Sequence, residues 1–347
     1  MYIKRIILAI AVIGVLVGAI FAYNVYDAIF TDNTAFNNEE AHLYVGSNTT
    51  FKDVLEDIEP LLKDPESFVK VAEKKGYTGN VKSGHFIIKK GMNNNEIINS
   101  IRSKNIPVKV AFNNQERIED LAGRIANQIE ADSLSLITAM LDTEYLSERG
   151  LNEDTALTMY IPNSYEVYWN TDAQGFRAKM AKEYDRFWTN ARKAKAKALN
   201  LTPAEVYSIA SIVQKETAKN DERPRVAGVY LNRLRKGIKL DADPTVIFAV
   251  KKNENDWNKV IKRVLYKDLE TDSPYNTYRN AGVPPGPIFM PDVTAIDAVL
   301  NPEKHDYYYF VADVENFGYH KFAKTLSQHN ANSAAYKRWI SAQGINR

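Results

Sequence analysis

The sequence predicts an α+β protein that follows one membrane-spanning helix. The chain begins with a long uncharged apolar stretch, Ile6 to Tyr23. The remainder mixes helical and strand-like stretches without the regular strand–helix alternation of a parallel sheet. Its 347 residues, 45% hydrophobic and 25% charged, have the composition of an ordinary globular protein. This length is sufficient for about two domains.

The apolar stretch predicts a transmembrane anchor. It can cross the roughly 30 Å hydrocarbon core of a bilayer at about 1.5 Å per residue. Lys4 and Arg5 precede it, and basic flanks stay in the cytoplasm. We therefore expect residues 1–5 to be a cytoplasmic tip, 6–24 to span the membrane, and the rest to face outward. A cleaved signal peptide is the alternative, but its apolar region is usually shorter and ends at a small-residue cleavage site.

Composition excludes several classes of function. The formal net charge of +2 gives no sign of the basic surface that nucleic-acid binding requires. The chain has no cysteine, which excludes zinc thiolates, disulfides and cysteine nucleophiles. It has 20 tyrosines. Either most of these tyrosines lie in the core with their hydroxyls hydrogen-bonded, or some line a groove where their flat rings can bind sugars. Composition does not choose between the two.

Local patterns divide the rest of the chain. Residues 25–42 are polar and turn-rich, and we interpret them as a linker. Residues 43–105 read as a compact unit with strands at 43–45 and 85–88 and helices at 51–62, 68–75 and 95–101. Residues 106–155 form a connecting region with a strand at 106–111, a helix at 118–129 and two further short helices. Residues 156–347 form the larger domain, with a strand at 307–311.

The strongest helix prediction runs from Thr202 to Lys219. Thr202 and Glu205 form a capping box, with proline at the first helical position. An apolar stripe follows, and at helical spacing Glu216 projects within about 20° of Ile209 on that stripe. Desolvation there raises the pKa of a carboxyl, as a general acid near neutral pH requires. From the helix alone, the pattern favours a glutamate that faces solvent or pairs with an arginine such as Arg223 or Arg225.

Two loops in the second half favour carbohydrate binding. Ser273 to Tyr278 reads Ser-Pro-Tyr-Asn-Thr-Tyr, and Gly282 to Ile288 is stiffened by proline and glycine. These loops offer neutral hydrogen-bonding groups and aromatic rings. A sugar presents hydroxyls, acetamido groups and apolar ring faces, but few charges, so the two chemistries match.

These blocks resemble the YceG-like endolytic murein transglycosylase family. The resemblance is strong over about residues 155–335 and weaker in the first unit, where Val81 to Met92 looks like the family's LysM-like subdomain. It implies a small LysM-like α+β subdomain over 43–105 and a larger α+β catalytic domain over 156–347. The matching blocks are 210–217, 229–234, 243–246, 273–278, 282–288, 308–311, 318–322 and 329–330.

The resemblance places the catalytic acid/base at Glu216. Gln214 stands where the family often has glutamate, so it cannot act as a rival acid. A further family block is degraded to Met159–Tyr165, in which Asn163 and Ser164 are polar replacements. The expected substrate-binding residues are Asn232, Asp243, Thr245, Tyr275, Asn276, Thr277 and Tyr278.

A lytic transglycosylase can work with one carboxyl group. We expect Glu216 to protonate the glycosidic oxygen and then to deprotonate the C6 hydroxyl of the same sugar, closing a 1,6-anhydro ring. If Asp243 lay within about 5–9 Å of Glu216, a hydrolytic muramidase with two carboxylates would be possible. Asp-Pro is also a common turn starter. A non-catalytic glycan-binding scaffold is the remaining alternative, and the intact Glu216 argues against it.

The sequence predicts neither a metal nor another cofactor. His305, His320 and His329 lack the spacing and supporting carboxylates of a metal site, so we interpret them as satisfied or solvent-facing. The resemblance implies peptidoglycan glycan strands as the substrate and membrane glycan polymerases as possible partners. Together with the anchor, it implies a single-pass protein of the cytoplasmic membrane with an extracytoplasmic domain.

Overall fold

The computed structural model describes residues 2–342. The chain forms two compact units of mixed helix and sheet, which confirms the predicted α+β class. Unit 1 comprises the described residues up to Val110 with Gln128–Ala131 and Tyr165–Asp172. Unit 2 comprises Ala111–Asn127, Asp132–Ser164 and the described chain from Ala173 onward.

Unit 1 contains the long N-terminal helix and a strand–helix–helix–strand arrangement. Its first and second strands pair antiparallel, with Leu43 opposite Phe86 and Val45 opposite Gly84. Leu43, Val45, Phe86 and Ile88 belong to a core that helical residues complete. The elements are α1 (Tyr2–Phe30), β1 (Glu40–Val45), α2 (Phe51–Ile58), α3 (Pro65–Lys74), β2 (Gly84–Lys89) and α4 (Asn94–Ser103). Strands β3 (Pro107–Phe112) and β4 (Asn163–Tyr168) pair with each other, and each has residues in both units.

Helix α1 is long and apolar enough to cross a membrane. It extends beyond the predicted span 6–24 and continues to Phe30. Its last turn packs on unit 1, because Ala28 and Ile29 contact the core. The Asn94 side chain also donates a hydrogen bond to the Ala28 carbonyl over 2.8 Å. The end of helix α1, which lies beyond the predicted span, is thus part of the folded unit.

The structure also differs from the prediction over the presumed linker, residues 25–42. Asn33 and Thr34 are buried at 3% and 4% exposure. The Asn33 side chain donates to Asn94 Oδ1 over 2.7 Å and accepts from the Asp64 backbone N–H over 2.6 Å. Polar composition suggested a solvated segment, but these polar groups are satisfied by the fold instead.

Unit 2 is mainly helical, with one antiparallel pair of short strands near its C-terminal end. That pair aligns Phe310 with Phe322 and Ala312 with His320. The elements are α5 (Ile118–Ala126), α6 (Ser133–Met140), α7 (Thr143–Glu148), α8 (Ala173–Phe187), α9 (Asn190–Ala198), α10 (Pro203–Glu216), α11 (Arg223–Arg235), α12 (Asp243–Glu254), α13 (Tyr266–Leu269), α14 (Val293–Leu300), β5 (Tyr309–Ala312), β6 (His320–Ala323) and α15 (Leu326–Ala342).

Helix α10 lies at the centre of the unit 2 core, against α9, α11, α12 and α14. The predicted capping box is confirmed: Thr202 accepts from the Glu205 backbone N–H, and Glu205 accepts from that of Thr202. Every residue from Val206 to Val213 is buried, so the helix is enclosed on all sides rather than along one stripe. It ends at Glu216, earlier than predicted, because Thr217 is extended.

Candidate active site

Glu216 is the last residue of α10, where the buried helix reaches the surface. The residue as a whole is only partly buried. Burial is nevertheless the largest influence on it and raises the pKa of Glu216 to about 7. The negative end of the helix dipole also disfavours a carboxylate at this position. The group can therefore hold a proton near neutral pH and release it.

Tyr230 on α11 holds this carboxyl in place. Its hydroxyl donates a hydrogen bond to Glu216 Oε1 over 2.9 Å. The tyrosine is 2% exposed, and Phe310 packs edge-on against its ring with centroids 5.9 Å apart. The hydrogen bond favours the ionised carboxyl and so moderates the rise in the pKa of Glu216. One oxygen is thus fixed by Tyr230, and the other remains available for chemistry.

Asp243 and Tyr278 form a hydrogen-bonded pair near Glu216. Asp243 is the first residue of α12, and its Oδ1 accepts a hydrogen bond from the Tyr278 hydroxyl over 2.7 Å. The Asp243 charge repels an ionised Glu216 and raises the pKa of Glu216 further. Burial and Asp243 also raise the pKa of Tyr278 strongly, so its hydroxyl stays a donor. The structure therefore brings these two predicted residues together with Glu216.

The other predicted substrate residues are buried in the scaffold. Thr245 and Thr277 join their hydroxyls over 2.8 Å, and the Thr277 hydroxyl also accepts from the Ala242 backbone N–H. Asn276, with no exposed surface, donates to the carbonyls of Leu269 and Thr271. These bonds set the shape of the loop that ends at Tyr278. Direct contact of these side chains with substrate stays a prediction.

Asn232 and Tyr275 are also engaged internally. Asn232 donates to the carbonyls of His305 and Tyr307, which attaches α11 to the chain entering β5. Tyr275 is 2% exposed and donates to Asp154 Oδ1 over 3.0 Å. It lines a cavity of about 320 Å³ whose lining does not include Glu216. In this structure both side chains are therefore engaged in hydrogen bonds within the fold.

Glu222 and His320 form a second polar cluster, which the sequence did not single out as a pair. His320 begins β6, and its backbone N–H and ring Nδ1 approach the two carboxylate oxygens of Glu222 at 2.7 and 2.9 Å. The Glu222 side chain is 2% exposed. The charge of His320 lowers the pKa of Glu216, so the cluster lies within electrostatic reach of that carboxyl. No spacing rule would find this pair, because 98 residues separate its members.

Comparison with known proteins identifies the family. The profile of the YceG-like family matches residues 43–335, which is most of the chain. The chain belongs to the YceG-like family. The resemblance that the sequence blocks indicated is therefore confirmed.

Relatives of this YceG-like chain include named enzymes. It is 28% identical over 300 residues to the endolytic murein transglycosylase of Bacillus subtilis (strain 168), covering 82% of this chain and 79% of that protein. It is 26% identical over 303 residues to the endolytic murein transglycosylase of Streptococcus pneumoniae serotype 2 (strain D39 / NCTC 7466), covering 80% of this chain. The match spans only 54% of that longer protein.

A solved structure has the same fold. The crystal structure of a yceG-like protein from Listeria monocytogenes aligns with a TM-score of 0.56 at 27% identity. The alignment covers 85% of this chain and 99% of the Listeria chain. The similarity therefore extends over the folded part of the protein rather than a single motif.

The structure shows where two departures of this chain from the YceG-like family pattern lie. Gln214 accepts a hydrogen bond from the Asp292 backbone N–H over 2.6 Å, so it supports the loop before α14. Asn163 and Ser164 are exposed at the start of β4, where the Asn163 side chain accepts from the Ser164 N–H. Neither placement supplies a second acid beside Glu216.

Proposed function

We propose that this protein is a membrane-anchored endolytic lytic transglycosylase that cuts peptidoglycan glycan strands. The bond cleaved is the one between MurNAc and GlcNAc, and the product is a 1,6-anhydro-MurNAc end. The observation that carries the proposal is Glu216, a partly buried carboxyl with a pKa raised to about 7 and one oxygen held by Tyr230. The names of the relatives support the same reaction.

A single carboxyl completes the reaction in two proton transfers. Protonated Glu216 donates to the glycosidic oxygen as the bond from C1 of the muramic acid breaks. The resulting carboxylate takes the proton of the C6 hydroxyl, and the C6 oxygen forms the new bond to C1. Water is not consumed, and Glu216 ends protonated again. Asp243, with the Tyr278 hydroxyl on it, adds negative charge that favours an oxocarbenium-like transition state.

The Asp243 charge also motivates a second candidate, a hydrolytic muramidase. In that reaction Glu216 would remain the acid, and Asp243 would act as nucleophile or base. The hydrogen bond from Tyr278 favours a supporting role for Asp243, because it occupies one carboxylate oxygen. The products separate the two reactions: anhydro ends for the lyase and reducing ends for the hydrolase.

The location follows from the anchor and its flanks. We infer that α1 crosses the cytoplasmic membrane with Lys4 and Arg5 inside, leaving the rest of unit 1 and all of unit 2 outside. There the enzyme would meet newly made strands and could terminate their elongation beside membrane glycan polymerases. The strand–helix–helix–strand part of unit 1 is the proposed LysM-like subdomain.

Mass spectrometry of digested peptidoglycan tests the reaction. Full-length protein in detergent is incubated with purified peptidoglycan, because Ala28 and Ile29 belong to the unit 1 core and truncation of α1 would disturb it. We expect anhydro-muramyl ends from the wild type and none from Glu216→Gln. Glu205→Gln is the matched control, since it makes the same change at the opposite end of α10. Reducing ends would favour the muramidase, and binding without cleavage would favour a scaffold.

A further inference from the structure

The cavity of about 320 Å³ that Tyr275 lines takes no part in the two proton transfers. All of its lining residues belong to unit 2, and its volume is that of a small-ligand pocket. Three aromatic rings form one wall: Phe248 lies 5.3 Å from Trp257 and 4.7 Å from Tyr275 between ring centroids. Trp257 is partly exposed, whereas the other two rings are buried. We call this space the Trp257 cavity.

Polar groups at one end of the Trp257 cavity are paired with one another. Asp154 accepts hydrogen bonds from the Lys252 ammonium and the Tyr275 hydroxyl, each over 3.0 Å. The ammonium also lies 4.5 Å from the centre of the Tyr275 ring. Asp154 and Glu153 line a second cavity of about 430 Å³ as well. Because the two cavities share these residues, they adjoin and form one elongated recess.

The charged groups at the other end are also paired. The Arg117 guanidinium donates twice to Asp120, over 3.1 and 2.6 Å, and lies 4.8 Å from the centre of the Trp257 ring. Glu116 pairs with Lys251 over 2.9 Å. Such a wall offers hydrogen-bond donors and acceptors while most of its charge is neutralised internally. It therefore suits a ligand that is rich in hydrogen-bonding groups but carries little charge.

One loop connects the Trp257 cavity to the helix of the catalytic acid. Pro287 lines the cavity, and the backbone N–H of Ile288 donates to the Ser211 hydroxyl on α10 over 3.1 Å. Ser211 precedes Glu216 by five residues, which is about 7.5 Å along a helix. The cavity wall is therefore bonded to α10 close to Glu216.

A second loop presents one tyrosine to each place. Tyr275 lines the Trp257 cavity, and Tyr278 donates its hydroxyl to Asp243 over 2.7 Å. Their Cα atoms are at most about 11 Å apart, since three residues separate them. Helix α12 makes the same connection, because Asp243 is its first residue and Lys252 lies in its last turn. A linear polymer can span such a distance.

We propose that the Trp257 cavity is a distal subsite, which binds a sugar residue of the glycan strand away from the bond that is cleaved. The inference rests on the proposed function. A sugar presents an apolar ring face, hydroxyls and few charges, which match the aromatic wall and the paired polar groups. A charged stem peptide would instead have to compete with those pairs. Only a long strand reaches both the cavity and Glu216, so the subsite favours long strands over short ones.

Binding is measured by calorimetric titration of peptide-free glycan strands, sorted by length, into full-length Glu216→Gln protein in detergent. In this background, Trp257→Ala should raise the Kd for long strands roughly tenfold, since a ring contact is lost. The Kd for the shortest strands should change less. Trp257→Phe keeps an aromatic wall and should restore much of the affinity. Trp339→Ala is the matched control, because Trp339 is partly exposed on α15 and packs against Phe317.

Cleavage provides a second readout in protein that retains Glu216. Loss of a contact far from the reacting atoms should raise KM for long strands and leave kcat nearly the same, so the preference for long strands falls roughly tenfold. Glu153→Trp tests the same site without removing a ring, because Glu153 is exposed where the two cavities adjoin and a large side chain there would block the recess. It decides the question if Trp257→Ala does not fold, with Glu153→Gln as its control.

Three results would overturn the inference. Equal losses for long and short strands would mean that the cavity does not sense strand length. Equal losses in Trp257→Ala and Trp339→Ala would reduce Trp257 to a structural role. A loss seen with peptide-bearing strands but not with peptide-free ones would make a stem peptide the ligand. Absence of anhydro ends from the wild type would instead refute the proposed function, while the Kd values from the Glu216→Gln background would still decide whether the cavity binds glycan.

Discussion

Glu216 and Glu222 lie at the two ends of one short turn, yet their surroundings shift the pKa values of their carboxyl groups in opposite directions. The pKa of Glu216 is raised to about 7, and the pKa of Glu222 is lowered. In both cases burial is the largest single influence and acts upward. The difference lies in the partners: Glu216 has one hydrogen bond and a nearby carboxylate, whereas Glu222 has several donors and a histidine.

The comparison shows that burial alone does not decide what a carboxyl group does. Burial makes the charged form costly, and the number of donors determines whether that cost is offset. An incompletely compensated glutamate can exchange its proton and perform chemistry. A fully compensated one is a fixed charge that organises its neighbours. The following predictions separate these two behaviours.

The largest expected effect on stability is that of Glu222→Gln. Breaking a buried pair leaves His320 without its carboxylate, and we expect a loss of about 2–4 kcal/mol in the free energy of unfolding at pH 7. Because the folded-state pKa of Glu222 is lowered, its contribution is present above its ordinary value of 4.5 and is lost as the pH falls. Denaturant unfolding at pH 7 and pH 3 measures this difference.

Glu303→Gln is the control for that experiment, because Glu303 forms an exposed pair with Arg225. Exposed pairs contribute about 0–1 kcal/mol, so little change is expected. Equal losses for the two variants would show that Glu222 is not compensated as the structure indicates.

Glu216→Gln should have the opposite effect on stability. The folded-state pKa is raised from 4.5 to about 7, so ionised Glu216 destabilises the fold as the pH rises through this window. Replacing it should stabilise the protein by on the order of 2–3 kcal/mol above pH 7 and by little below pH 4.5. Thermal unfolding at both values checks this, and an unchanged or lowered stability at pH 8 would contradict the assigned pKa.

Tyr230→Phe should have the smallest effect. Loss of the hydroxyl removes the hydrogen bond that favours ionised Glu216 and so raises the pKa of Glu216. In the pH profile of activity, the alkaline limb, where activity falls as Glu216 loses its proton, should therefore move up by about half to one pH unit. Tyr207→Phe is the matched control, since Tyr207 is a buried tyrosine of α10 that donates to the Tyr160 carbonyl instead. If both variants shift the limb equally, the shift reflects general loosening of the core.

Local elements of the fold could be predicted because their causes are local. The capping box of Thr202 and Glu205 and the strand at 43–45 depend on neighbouring residues, and both are observed. The length of α1 and the structure of residues 25–42 could not be predicted, because Ala28 and Asn33 contact residues far along the chain. A polar, turn-rich segment has the composition of a linker even when other parts of the fold bury it.

The sequence by itself determined the class of the protein, its family, its long apolar N-terminal helix and the place of Glu216 on helix α10. Periodicity and ordered motifs carry that information directly. Only the tertiary structure decided which polar side chains share the site. It brings Tyr230, Asp243, Tyr278 and the Glu222–His320 pair around Glu216, and it buries Thr245, Asn276 and Thr277 beneath them. The physical reason is that burial and proton affinity depend on neighbours in space, which spacing along the chain does not specify.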